Sequence, residues 1–277
     1  MSVARQHPVV TLLTDYGLAD EFVGVLHGVI ARICPDARVI DLSHGVPPQD
    51  VRAGAALLLH SLPYMPVGVH VAVVDPTVGS DRRAVALGLN DGRILVGPDN
   101  GLLWPAAVAG GGVEQAVEIS ASPWRLESLA ATFHGRDVFA PVAARLAAGE
   151  LLVDAGAPLA PSQLVRMELP AARIEHGAVL ATVIGNDRFG NVQLGAVRDD
   201  LGQLGAAPGP RLRLTLPSGE THLAVLARTF SDVGDGELLV FEDAARQLAL
   251  GCNRGSAAAR LGLRGGDQLR IDPVAEP

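Results

Sequence analysis

Val9-Val10-Thr11-Leu12-Leu13-Thr14-Asp15-Tyr16-Gly17-Leu18-Ala19-Asp20 is an apolar run of strand length that stops at a turn-like Thr-Asp-Tyr-Gly. Asp20 then stands where the cap of a following helix belongs. Behind it Phe22, Val25, Leu26, Val29, Ile30 and Ile33 recur at spacings of three and four, the period of a helix with one apolar face. Strand, turn and helix in that order predict an α/β layer, and the pattern repeats. Arg38–Leu42 is strand-like, and Pro47-Pro48-Gln49-Asp50 opens a second helix through Leu59, since proline is tolerated in a first turn. Val69–Asp75 is a third apolar run, ended by Pro76. Ala84–Leu89 and Arg93–Val96, joined by Asn90-Asp91-Gly92, read as a hairpin, and a further helix runs from about Arg136 to Ala148, ending at Gly149. This alternation predicts an α/β domain with a mostly parallel sheet over residues 1–165.

Beyond Pro158–Pro161 the texture changes. Short apolar runs separated by Gly, Pro, Asn and Asp follow one another: Ala178–Ile184, Arg211–Leu216, His222–Ala227, Leu238–Phe241, Leu248–Gly251 and Gln268–Ile271. They predict a smaller β-rich domain over 175–277, a barrel or a sandwich, with the linker between about 160 and 176.

Composition narrows the chemistry. Hydrophobic residues make up 48% and charged ones 19%, values of a folded globular chain, and no apolar run reaches the roughly 18–20 residues that cross a bilayer. Met1 to Pro8 lacks the apolar core and cleavage site of a secretion signal, so the expected location is the cytoplasm, with no membrane partner. A net charge of −8 without a basic stripe argues against nucleic acid as partner. All 22 basic residues are arginine. The absence of lysine removes Schiff-base chemistry, a P-loop and Ser–Lys hydrolysis. No histidine spacing fits a metal site, so neither metal nor cofactor is expected, and Cys34 and Cys252 read as plain buried thiols.

Polar residues collect where apolar runs stop. Asp15 and Asp75 each end such a run, and in an open α/β sheet that edge binds ligands, although an Asp at a strand end also simply caps the next turn. Asp75-Pro-Thr-Val-Gly-Ser-Asp-Arg82-Arg83 and Thr132-Phe-His134-Gly-Arg136-Asp137 are the sharpest segments. His134 alone fits a buried structural imidazole as well as a catalytic one, and Arg136 and Asp137 most simply open the helix and pair locally. Asn186-Asp187-Arg188-Phe189-Gly190-Asn191 is either a hairpin turn or a site offering carboxylate, amide and ring together. Asn253-Arg254-Gly255-Ser256-Ala257-Ala258 is either a helix cap or a ligand loop.

Taken in order, these stretches, with Asp41-Leu42-Ser43-His44-Gly45, Val74–Gly79, Gly97-Pro98-Asp99-Asn100-Gly101, Thr132–Pro141 and Asp187–Val192, resemble the S-adenosyl-L-methionine hydroxide adenosyltransferases, relatives of the bacterial fluorinase and chlorinase. The likeness runs from about residue 9 to 272. It implies a β-barrel-like C-terminal domain, a homotrimer with a small-molecule substrate at subunit interfaces, and hydrolysis of S-adenosyl-L-methionine to adenosine and L-methionine. The family's Asp–Arg–His set falls on Asp75, Arg82 and His134, with Arg82 rather than Arg83 in the family position. Asp15 is implied as the partner of the ribose hydroxyls and Asp187 as that of the methionine ammonium. Phe189 and Asn191 fall at the adenine, with Asn253, Arg254, Ser256 and Ala257 closing around its edge. Halogenases carry tyrosines where Asp75 and His134 stand, fluorinase has a serine at the place of Gly135, and fluorinase lengthens the hairpin at Asn90–Gly92. The chain shares none of these, so the resemblance favours hydroxide over halide; a binding module with little turnover is the alternative from another class. Four positions depart from the pattern. Thr77 replaces a glycine, which would strain the loop if φ there were positive. Asp243-Ala244 replaces an Asn-Ser pair at the methionine carboxylate. Gln49 stands where halogenases place an aromatic near the sugar.

Overall fold

A computed structural model describes residues 8–127, 130, 132–205, 209 and 211–274; up to residue 7, the N-terminal stretch read above for a leader lies outside them. The chain divides into two compact units, Met1–Glu168 and Leu169–Pro277.

The first unit is a sheet layered with helices. Its elements are β1 (Val9–Thr14), α1 (Phe22–Ile33), β2 (Arg38–Ser43), α2 (Val51–Ser61), β3 (Val69–Val73), β4 (Ala84–Leu89), β5 (Ile94–Pro98), α3 (Trp104–Ala109), β6 (Val113–Glu118), α4 (Ala140–Ala147) and β7 (Ala157–Leu159). The sheet order is β2-β1-β3-β5-β4-β6-β7. β2, β1, β3 and β5 pair in parallel, while the β4 hairpin and β7 introduce antiparallel partners. β1 is buried along nearly its whole length because strands flank it on both sides: Val10, Leu12 and Leu13 are all fully buried, as a strand covered on both faces requires, and so are the polar Thr11 and Thr14. Leu26 and Ile30 of α1 and Val142, Ala143 and Leu146 of α4 fill the core against β1 and β3.

Three local expectations are corrected. The N-cap of α1 is Glu21, not Asp20, and its side chain makes no capping bond; the following turn instead closes through the Val25 N–H on the Glu21 carbonyl. Pro47 and Pro48 precede α2 rather than forming its first turn, because Gln49 adopts a left-handed φ of 67° and Asp50 then caps the helix, accepting from the Ala53 N–H at 2.9 Å. The helix expected from Arg136 begins as a π-helical turn over Gly135–Phe139 before α4.

The second unit holds β8 (Arg173–Glu175), β9 (Ala178–Asn186), β10 (Val192–Val197), α5 (Arg198–Gly202), β11 (Arg211–Thr215), β12 (Thr221–Leu226), β13 (Leu238–Glu242), β14 (Gln247–Cys252), α6 (Ala257–Leu261) and β15 (Gln268–Pro273). The order β10-β14-β13-β12-β11-β15-β9 closes on itself through the β9–β10 pairing, with β8 added outside β9. Of the barrel and sandwich alternatives, the barrel is what forms. Alternating residues such as Val179, Ala181 and Val183, or Leu212 and Leu214, fill its interior. Cys34 and Cys252 are buried free thiols, as expected.

Candidate active site

Because β1, β2 and β3 run in parallel, the loops after them leave from one sheet edge. The chain passes from β1 to β2 on one side and then crosses to β3 on the other, the reversal of strand order at which open sheets form a crevice. Asp15 follows β1 directly and Asp75 lies just beyond β3. The β1 loop is pinned to its neighbours. Thr14 Oγ1 accepts from the Tyr16 N–H (3.1 Å) and shares a hydrogen bond with His44 Nδ1 (2.9 Å), while the Gly17 N–H donates to the His44 carbonyl (2.8 Å). One oxygen of Asp15, Oδ2, accepts from the Gln49 N–H at 2.8 Å, and the other has no hydrogen-bond partner among the described residues. The left-handed φ of Gln49 aims that N–H at the carboxylate, a strained backbone at a candidate ligand contact.

Beyond Asp75 the chain turns back on itself through the Val78 and Ser80 N–H groups and the Ser80 hydroxyl, which donate to the Asp75 and Thr77 carbonyls. This carries Arg82 onto Asp75. Its Nε donates to Oδ1 (3.2 Å) and its Nη2 to Oδ2, a forked pair with both side chains about 95% buried (6% and 5% exposed). Nη1 is taken by the Arg83 carbonyl at 3.0 Å. Arg83 turns away to Asp99, at 2.9 and 2.7 Å, and so belongs to the scaffold. Thr77 is not among the residues with positive φ; the strain considered for it is absent, and its hydroxyl leans toward Asp75 Oδ1 at 3.4 Å.

His134 arrives from a distant part of the sequence, at the start of the π-helical turn. Such turns insert an extra residue and re-aim side chains, often at functional sites. Arg82 Nη2 also donates to His134 Nδ1 at 3.1 Å, so a single guanidinium nitrogen bridges Asp75 and His134. A guanidinium has no lone pair to offer, so Nδ1 is the acceptor and the neutral ring carries its proton on Nε2. Burial, then the Arg82 charge, holds the pKa of His134 below the usual imidazole range, in keeping with that tautomer. The loop is anchored by Asp137, whose side chain is fully buried. It accepts from Arg136 Nε (2.6 Å) and Nη2 (2.9 Å) and from the Ala130 N–H (2.6 Å). The local pairing expected of Arg136 and Asp137 is therefore present, and it fixes His134 from behind. Tyr16 packs over Gly135, edge-on to Phe22 and Phe133 with ring centroids 5.9 Å away in each case.

Chemically, the cluster is a cation with four of its five N–H donors used internally, a carboxylate held by both oxygens, and an imidazole whose open nitrogen is a donor. It favours an oxygen bearing negative charge.

In the second unit the remaining candidates gather in the loops after β9 and β14. Asp187 Oδ1 accepts from the Phe189 and Asn191 N–H groups (both 2.9 Å) and Oδ2 from Asn191 Nδ2 (2.7 Å), so the hairpin-turn reading holds. A carboxylate has roughly four acceptor positions, and one on Oδ2 stays free. Phe189 is 74% exposed. The two loops interlock: a Cβ on Gly190 would run into Ser256, and the Ala258 N–H donates to the Gly190 carbonyl at 2.9 Å. Ser256 caps α6, accepting from the Ala259 N–H at 3.0 Å, beside the buried Ala257. Asn253 Nδ2 donates to the Val233 carbonyl (2.8 Å), and Arg254, with φ of 54°, pairs with Asp235 at 2.9 Å. Asp243 closes the β13–β14 turn by accepting from the Ala245 and Gln247 N–H groups. Tyr16, the Thr14–His44 pair and the Gln49 N–H carried no role in the sequence reading, although all of these residues lie inside stretches quoted there. Among the described residues no group of His, Cys, Asp and Glu is arranged to hold a metal ion, and no helix is long and apolar enough to cross a membrane.

Residues 10–156 match the S-adenosyl-L-methionine hydroxide adenosyltransferase N-terminal domain and residues 181–270 the C-terminal domain of the same family. The (R)-S-adenosyl-L-methionine hydrolase of Salinispora tropica is 52% identical over 95% of this chain and 97% of its own. A fluorinase of Nocardia brasiliensis is 28% identical over 96% of this chain and 97% of its own. The crystal structure of an uncharacterised conserved protein from Thermotoga maritima superimposes with a TM-score of 0.87 at 34% identity, covering 95% of this chain and 99% of that one. With both domains matched in order along the chain that carries the Asp75–Arg82–His134 cluster, this protein belongs to the S-adenosyl-L-methionine hydroxide adenosyltransferase family.

Proposed function

We propose that the protein hydrolyses S-adenosyl-L-methionine to adenosine and L-methionine. The observation that carries this reading is the Arg82 guanidinium donating at once to Asp75 and His134 in a chain 52% identical to a named (R)-S-adenosyl-L-methionine hydrolase. That name suggests the R configuration at the sulfonium for this substrate as well.

Water's oxygen attacks ribose C5′ in line with the departing sulfur. The C5′–O bond forms as the C5′–S bond breaks, the electron pair leaves with sulfur as the neutral thioether of methionine, and one water proton is released to solvent. A sulfonium leaves readily, so the barrier lies in the nucleophile: free water has a pKa of about 15.7. Holding it opposite the sulfur is worth several kcal/mol, and relaying its proton through a positioned group adds roughly 10²–10⁴-fold. Arg82 stabilises the hydroxide-like oxygen, and His134 Nε2–H orients it. The proton passes to the Asp75–His134 pair as a unit, entering at the acceptor position that Arg82 leaves on the Asp75 carboxylate, because titrating groups this tightly coupled share it.

Asp15 offers its free oxygen to the ribose hydroxyls, and the open position on Asp187 suits the ammonium. The exposed ring of Phe189, with Asn191 and the Asn253–Ala257 loop, suits adenine. Asn253, Arg254, Ser256 and Ala257 contribute mainly backbone, their side chains being committed locally or apolar. The reading extends to a homotrimer in the cytoplasm with substrate bound at subunit interfaces, and to activity without a metal or cofactor.

Incubation of the purified protein with S-adenosyl-L-methionine, followed by chromatography, tests it. Equal amounts of adenosine and methionine are expected, at a rate indifferent to chloride or fluoride. Halide-dependent 5′-halo-adenosine would favour the fluorinase-like alternative, and binding without either product would make the protein a ligand-binding module.

A further inference from the structure

We propose that Tyr16 is a further catalytic residue of this site, its phenol hydroxyl donating a hydrogen bond to the attacking oxygen; the role rests on the hydrolase reading. The hydroxyl lies directly over Gly135, the residue after His134: a Cβ there would run into Tyr16 Oη and sit 3.2 Å from Cζ. The ring cannot swing away freely, because Phe22 and Phe133 flank it edge-on and contact each other with centroids 5.2 Å apart. Inside the cluster almost every polar atom is already spent. The Arg82 nitrogens are taken by Asp75, His134 and the Arg83 carbonyl, both Asp75 oxygens face Arg82, and His134 Nδ1 accepts from Arg82. What stays open beside it, besides one Nη1–H of Arg82 and an acceptor position on Asp75 Oδ2, is His134 Nε2–H and the Tyr16 O–H, which has no hydrogen-bond partner among the described residues. Two donors suit an oxygen with lone pairs, the form in which a water becomes hydroxide. Burial, with the carboxylates of Asp15 and Asp75, pushes the phenol's acidity well below normal, so it keeps its proton and acts as a donor only. Tyr16 loses no proton in the reaction.

Gly135 is thereby explained: any side chain at that position would displace the hydroxyl. The test is a cycle of Tyr16→Phe, Gly135→Ala and the double variant, read by kcat, KM and melting temperature. Losing a hydrogen bond to a charged group predicts a kcat roughly 10- to 100-fold lower for Tyr16→Phe, with KM changed by less than about 3-fold and the melting temperature unchanged. Gly135→Ala should lower kcat similarly, and the double variant should show no further loss, with any lost thermal stability regained as the hydroxyl that meets the new Cβ is removed. Full activity in Tyr16→Phe, or losses that simply multiply, would overturn the role while leaving the hydrolase reading intact. A wild-type protein that releases no adenosine would instead overturn the reading itself.

Discussion

At the scale of single residues, the site works through one guanidinium that holds two acceptors apart. Asp75→Asn keeps the volume and His134→Asn keeps a polar amide, and each loses the titrating group. Turnover should fall at least about 10²-fold while calorimetric affinity for S-adenosyl-L-methionine changes only a few-fold. Loss of binding in both would make them structural. pH should act through the same contact. Protonated His134 cannot accept from Arg82, and its pKa is held below the ordinary 6.5, so activity should be lost on acidification with a midpoint below pH 6.5. A kcat/KM profile measures this, and a midpoint above that value would contradict the assigned tautomer. Asp15→Ala touches no reacting atom and should raise the dissociation constant about 10-fold with kcat nearly unchanged. These roles were legible only in part. Aspartates at strand ends announce an edge, and the family resemblance alone put Arg82 rather than Arg83 in the set; its turning inward depends on the tight Asp75–Ser80 turns, which no local pattern encodes.

Elements position these residues by backbone accounting. The loop ahead of α4 packs Trp124 and Phe133 against the core and is further fixed by the buried Asp137, which collects Arg136 and the Ala130 N–H. Asp137→Asn should cost about 2–3 kcal/mol, read by denaturant unfolding, and should lower kcat by releasing His134. Unchanged stability would refute the anchor. Strands and helices with clear periodicity were readable from sequence: β1, α1, α2, the β4–β5 hairpin and most barrel strands match their apolar runs. Boundaries were not, for physical reasons. The prolines before α2 suit a helical first turn, and only the left-handed Gln49 excludes them. The π-helical turn uses the same residues as an α-helix and differs only in register. Short strands such as β7 and β8 have little apolar pattern and exist because a neighbouring strand offers them hydrogen bonds.

For the whole molecule, the change from α/β alternation to short turn-punctuated strands was enough to separate two kinds of unit, whereas closure of the barrel rests on β9 pairing with both β15 and β10. A second pH effect lies outside the site. His70, fully buried in β3 and bonded through Nδ1 to Thr11 at 2.9 Å, has its pKa pushed down to about 4 by burial and by Arg93. Unfolded, the same group titrates near 6.5. Between these values the unfolded chain binds more protons, so stability is present above pH 6.5 and declines as pH falls toward 4, by at most on the order of 2–3 kcal/mol. His70→Asn, which keeps a partner for Thr11, should flatten the melting temperature between pH 4.5 and 7, as calorimetry would show. The central claim, that a water oriented by Arg82 and His134 displaces methionine sulfur at C5′, is tested most directly by turnover in ¹⁸O-water with mass spectrometry of the adenosine. The heavy isotope should appear in the 5′-hydroxyl in proportion to the label in the solvent; adenosine without it would mean that the oxygen has another source.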